Sequence, residues 1–107
     1  MIRIATIVVA LAAAANVHAA DAAKGAEKAK QVCSACHGDT GNEAKVPGAA
    51  KLAGQHADYL YVALRDYKTG KRKNAIMSGQ AKTLSDADMR DLAAFYAAQT
   101  GSLTVVR

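Results

Sequence analysis

The chain's only two cysteines stand three positions apart, with a histidine directly after the second: Cys33, Cys36 and His37 in "QVCSACHGDTGN". Thiols at this spacing can exchange disulfides, bridge to one another, bind zinc or attach a haem. Exchange in the thioredoxin manner places the pair where a strand meets a helix, and no strand pattern precedes Cys33. A bridge between Cys33 and Cys36 closes so short a loop that it removes little chain entropy. Zinc needs a full tetrahedral ligand set, and His56 is the only further histidine beyond residue 37. Haem attachment uses all three residues. Each thiol adds across one vinyl group, its sulfur bonding one vinyl carbon and its hydrogen passing to the other. His37 then lies beneath the iron as the proximal ligand.

A second axial donor is needed on the far side of the iron. Met89 falls in register with Leu92 and Tyr96 on a helix face, which makes it core. His56 opens a helix and is expected to face solvent. Met77 stands in "NAIMSGQA", read as irregular, where no helical stripe claims it. It follows His37 by 40 residues, enough chain to cross the haem and reach its other face. A thioether suits haem iron, and His/Met ligation raises the reduction potential. Met77 is therefore the expected distal ligand, with an iron lacking a distal protein ligand as the alternative.

These residues need elements to hold them. Residues 1–19 read as an export leader: Arg3 gives a positive start, Ile4 to Ala15 is apolar apart from Thr6, and Val17-His18-Ala19 fits signal peptidase. The apolar run is shorter than the roughly 20 residues that a membrane-spanning helix needs. Residues 20–107 then form a single domain in the periplasm, without stable membrane insertion. A first helix is expected over 22–35 with Asp21 as its cap and Ala22, Ala26, Ala29 and Cys33 inward. Gly25 inside it points to a close helix contact. Residues 37–55 read as a long irregular loop, the kind that wraps something. A second helix is expected over 56–69, with Leu60, Ala63, Leu64 and Tyr67 inward and Gly70 ending it. A third starts at Ser85 in a capping box with Asp88 and runs to Gly101, burying Met89, Leu92, Ala93 and Tyr96. The fold class is all-α: three main helices plus long loops around one covalently attached haem.

Composition supports this. The aromatic residues are Tyr59, Tyr61, Tyr67, Phe95 and Tyr96, and there is no tryptophan. An apolar core rarely supplies more than about 3–5 kcal/mol in so short a chain, so a large apolar group is missing from what the sequence builds alone. The net charge is +5, to which Arg3 in the leader contributes one. That is too small to argue for nucleic acid, and it suits an acidic protein partner.

The pieces "KGAEKAKQVCSACHG", "KLAGQHADYLYVALRDYKTGKR" and "MSGQAKTLSDADMRDLAAFYAAQ" resemble the small single-haem class I cytochromes c of bacteria and the separate domains of their dihaem relatives. The resemblance implies the cytochrome c fold, with Cys33 and Cys36 binding haem c, His37 proximal and Met77 distal. It also brings Gly25 to the last helix near Phe95. In this family a proline usually precedes "KL-x-G", and its carbonyl orients the proximal histidine. Here Ala50 stands in that position, and its carbonyl is expected to accept the His37 N–H.

With both axial positions filled, the iron has no place for a substrate, and the expected role is electron carriage, not catalysis. Alternatives are a haem subunit of a larger periplasmic dehydrogenase and an open-site haem protein that binds small ligands. "KTGKRK" gathers Lys68, Lys71, Arg72 and Lys73. They are a solvated turn or a docking patch for redox partners with acidic surfaces, such as membrane-bound reductases, oxidases or periplasmic dehydrogenases. Arg72 is the candidate to reach a haem propionate.

Overall fold

A computed structural model describes residues 4–8, 19–101 and 103. The expected leader, with Val17 and His18 of its cleavage pattern, lies outside the described residues except at 4–8 and 19. Five helices occur among the described residues: α1 (Ala22–Val32), α2 (Ser34–His37), α3 (Ala57–Thr69), α4 (Ala75–Ala81) and α5 (Asp86–Ala97). No strand occurs among the described residues. None of the described helices is long and apolar enough to cross a membrane.

The start of α1 is fixed by Asp21, whose carboxylate accepts from the Ala23 and Lys24 amides. The Asp21 amide in turn donates to the buried Asp91 carboxylate of α5 at 2.8 Å. Side-chain oxygens at this position satisfy amides that the helix itself leaves unbonded. The buried face of α1 is Gly25 and Ala29, with Ala26 and Cys33 half-buried; Ala22, expected inward, is exposed. Gly25 lets α1 and α5 meet backbone to backbone. A Cβ there would come within 2.0 Å of the Asp91 carbonyl oxygen and 2.9 Å of Phe95 Cβ.

The first helix does not run on to Ala35. It ends at Val32, and Cys33 adopts φ −117° before the single turn of α2 begins. Residues 38–56 are irregular, and amides along this loop tie it to α2, to itself and to α5. Lys45 donates to the Cys36 carbonyl at 2.8 Å, Leu52 to Gly41 at 2.7 Å and Gly54 to Tyr96 at 2.9 Å. Gly41 is required at its turn on two counts. Its φ is +76°, and a Cβ would press within 2.7 Å of the Tyr96 ring.

Helix α3 runs from its cap at His56 to Gly70, which closes it at φ +82°. The stretch after it departs from expectation. Residues 75–81, read as irregular, form α4, capped by Asn74 accepting from the Ile76 and Met77 amides. Helix α5 begins with the expected capping box of Ser85 and Asp88. It ends at Ala97, short of Gly101, because other groups claim the carbonyls of its last turn. The Gln99 side chain donates to the Phe95 carbonyl at 2.9 Å, and the Gly54 amide takes that of Tyr96.

The core joins Ala29 of α1, Leu60 of α3, Leu84, and Met89, Leu92, Ala93 and Tyr96 of α5. Leu92 is the only large side chain less than 2% exposed among the described residues. Around the outside, Tyr61 of α3 is clamped to α5. Its hydroxyl donates to Asp86, Arg90 bonds the same carboxylate at 2.8 Å, and the Arg90 guanidinium lies 4.3 Å over the Tyr61 ring.

Candidate functional site

An apolar cleft opens between α2, α3, α4 and α5. Leu60, Ala63, Leu64 and Tyr67 form one wall from α3, and Leu92, Ala93 and Tyr96 another from α5. Leu52 of the long loop completes the apolar lining. Three groups with donor chemistry line this same cleft: Cys33, His37 and Met77.

His37 ends α2 and is 8% exposed. Its Nδ1 lies 2.7 Å from the Ala50 carbonyl oxygen. A carbonyl only accepts, so Nδ1 carries the proton and Nε2 keeps its lone pair for another partner. The carbonyl comes from alanine where the resembling family carries proline; the bond forms without the ring.

Cys33 and Cys36 are free thiols on one turn, both half-buried. The amides of Cys36 and His37 both donate to the Cys33 carbonyl, at 3.2 and 3.0 Å, which holds the motif as one unit. Cys33 enters the cleft, while Cys36 sits beside it outside the lining. Burial is the main cause that pushes the Cys33 thiol above its ordinary 9.0. A protonated thiol is a poor nucleophile and metal ligand, which argues against a site for disulfide exchange.

Met77 reaches the cleft from the first turn of α4, half-buried, its amide pinned by Asn74 at 3.0 Å. His56 is an exposed helix cap and Met89 a core residue, and neither lines the cleft. No cluster of three or more His, Cys, Asp or Glu suited to a metal ion exists among the described residues.

Arg72 is also outside the lining. Its guanidinium lies 5.0 Å over the ring of Tyr67 and donates to the Tyr59 hydroxyl at 3.4 Å. It therefore packs against a side chain that walls the cleft. Lys68 is half-buried and donates to the Leu84 carbonyl, whereas Lys71 and Lys73 are exposed.

The donor set and walls fit a covalently attached haem. A thiol, an imidazole with its Nε2 free and a thioether line one cleft whose other walls are apolar. Sequence reasoning placed Tyr96 on the buried face but missed its hydroxyl, which is buried without a hydrogen-bond partner beside Cys33. The one available signal was a phenol on the inward face of a helix, since buried tyrosines usually find a partner.

Comparison with known proteins gives consistent matches. Residues 20–95 match the family described as cytochrome c oxidase, cbb3-type, subunit III. Cytochrome c4 of Pseudomonas aeruginosa is 48% identical over 80% of this chain and 42% of its own length. Cytochrome c-554(548) of Halomonas halodenitrificans is 42% identical over 76% of this chain and 99% of its own. The crystal structure of reduced cytochrome c4 from Pseudomonas stutzeri superposes with a TM-score of 0.71 at 41% identity. It covers 79% of this chain and 48% of that one. The chain thus spans less than half the length of the cytochromes c4 it matches.

Proposed function

Since this chain belongs to the class I c-type cytochromes, we propose that it carries single electrons between redox partners through one haem c, attached at Cys33 and Cys36. His37 and Met77 would hold its iron. The observation that carries this reading is the convergence of His37 from α2 and Met77 from α4 on one apolar cleft that Cys33 also enters. When bound, the haem supplies a one-electron Fe(III)/Fe(II) couple.

The chain's residues set the terms of that couple. Ala50 holds the His37 ring by Nδ1 and so would leave Nε2 to bind the iron. Met77 offers a neutral thioether, which favours the reduced state. The leucines and alanines of α3 and α5 keep water from the ring, and a low dielectric likewise disfavours the extra charge of the ferric form. With His37 and Met77 both holding the iron, no position would be left for substrate. That supports an electron carrier and not an enzyme.

The leader-like residues 1–19 support a periplasmic location. Its partners there are redox proteins with acidic docking surfaces: membrane-bound reductases, oxidases or periplasmic dehydrogenases. Lys71 and Lys73 are the exposed cations of "KTGKRK" available to them. Arg72, packed on Tyr67 of the cleft wall, would meet a propionate at the cleft's edge.

The test is the absorption spectrum of the purified ferric protein, read for the weak long-wavelength sulfur-to-iron band. The band is expected in the wild type and absent in Met77→Ala. A wild type without it that binds carbon monoxide readily when reduced is an open-site haem protein, and the carrier reading falls.

A further inference from the structure

Tyr96 is 3% exposed, and its hydroxyl makes no geometrically sound hydrogen bond. A buried donor left unpaired costs free energy, and native proteins rarely tolerate one without a use for it. Nor can this side chain turn away. Its ring lies against Gly41, where even a Cβ would come within 2.7 Å. It packs on Phe95 with ring centroids 5.0 Å apart, and its carbonyl is held by the Gly54 amide at 2.9 Å. The side chain is fixed in the lining of the cleft, which Cys33 shares, and Cys33 packs against the core cluster that contains Tyr96.

Burial first, and the neighbouring Cys33 second, push the Tyr96 phenol above its ordinary 10.0. It therefore stays protonated, a permanent donor. On the other side is a sulfur whose chemistry changes when the haem is attached. A thiol has a hydrogen of its own to place; a thioether has lone pairs only and can only accept.

On the haem reading above, we infer that the Tyr96 hydroxyl donates a hydrogen bond to the Cys33 thioether sulfur, orients that attachment and raises the reduction potential. A donor on this sulfur draws electron density from the ring substituent it carries and so favours Fe(II). Hydrogen bonding around the group is one of the few levers a protein has on a haem. Tyr96 touches neither iron nor axial ligand in this role: it positions and tunes through Cys33.

The experiment uses the haem-loaded protein. Covalent attachment is first read from the mass of the purified chain, so that a protein without haem refutes the functional reading and is told apart from a failure of this inference. Resonance Raman spectra of the wild type are then taken in H₂O and D₂O, following the carbon–sulfur stretching mode. The mode is expected to shift on deuteration, and the shift is expected to vanish in Tyr96→Phe. The variant's reduction potential is expected to lie below that of the wild type, by an amount that does not change with pH near neutrality. A carbon–sulfur mode indifferent to D₂O in the wild type overturns the inference even if Tyr96→Phe fails to fold. So does a variant whose potential is unchanged or raised, since loss of a polar group alone would raise it.

Discussion

His37 shows how little of a site needs to be written in side chains. Its ring is set by a backbone carbonyl, that of Ala50, at 2.7 Å. Position 50 could be identified only because a family with proline there is recognisable in "KLAGQ"; an alanine carbonyl leaves no mark in composition or spacing. Cys33, Cys36 and His37 were legible because their types and spacing are the chemistry itself. Replacing Ala50 by proline keeps the carbonyl and breaks none of the backbone–backbone hydrogen bonds among the described residues. It also narrows the unfolded chain. Ala50→Pro is expected to raise stability by about 0.4–1 kcal/mol in denaturant titration, with an unchanged haem spectrum. A lower midpoint would mean that the backbone at 50 is held away from the φ proline imposes. Asp88 offers a second test at this scale. The Ser85 amide, first among several causes, holds its carboxyl below the ordinary 3.8. A depressed folded pKa gives stability that is present above the unfolded value and is lost as pH falls through the folded one. Asp88→Asn is therefore expected to lower stability at neutral pH and to flatten the loss of stability below about pH 4.

The three long helices were legible from apolar spacing and caps, because Asp21, Ser85 with Asp88, and Gly70 act locally and show in the sequence. What escaped was set by contacts distant in sequence. Helix α4 is too short for a periodicity to register, and "NAIMSGQAKT" carries a glycine and polar residues that suggest a loop. Its one local sign is Asn74, an effective helix cap. The end of α5 is fixed by Gly54, more than forty residues earlier in the chain. Gly101, which looked like its stop, serves a different need: a Cβ there would come within 2.8 Å of Ala53 Cβ. Two substitutions test the elements that carry the site. Gly25→Ala drives a methyl into the Asp91 backbone, which cannot give way as a flexible side chain would. It is expected to cost about 3 kcal/mol, at the upper end for overpacking, and to appear as a lower denaturation midpoint. Asn74→Ala removes the cap that holds the Met77 amide. The expected loss is about 1 kcal/mol, together with a sulfur-to-iron band that bleaches at a lower temperature than in the wild type. An unchanged bleaching temperature would show that Met77 is held by its own contacts and not by the start of α4.

At the scale of the whole molecule, the parts enclose a space more than they fill one. The buried residues of α1, α3 and α5 form one cluster, yet Leu60, Leu92, Ala93 and Tyr96 of that cluster also line the cleft. Much of the apolar surface that should drive folding therefore faces the cleft. Alanines 29, 53, 81 and 93 are buried but contribute little area each. An apolar cleft lined by residues of so thin a core means that whatever occupies it is part of the fold. Exchanging the attachment thiols should therefore remove more than a chromophore. The double variant Cys33→Ala with Cys36→Ala, purified from the exported fraction, is expected to show much reduced far-ultraviolet helical signal and no cooperative thermal transition. A single Cys33→Ala, which keeps one thioether at Cys36, is expected to hold the haem and the helices but melt at a lower temperature. If the double variant instead unfolds sharply with full helix content, the chain has its own sufficient core. The scarcity of large buried side chains would then need an explanation other than the haem.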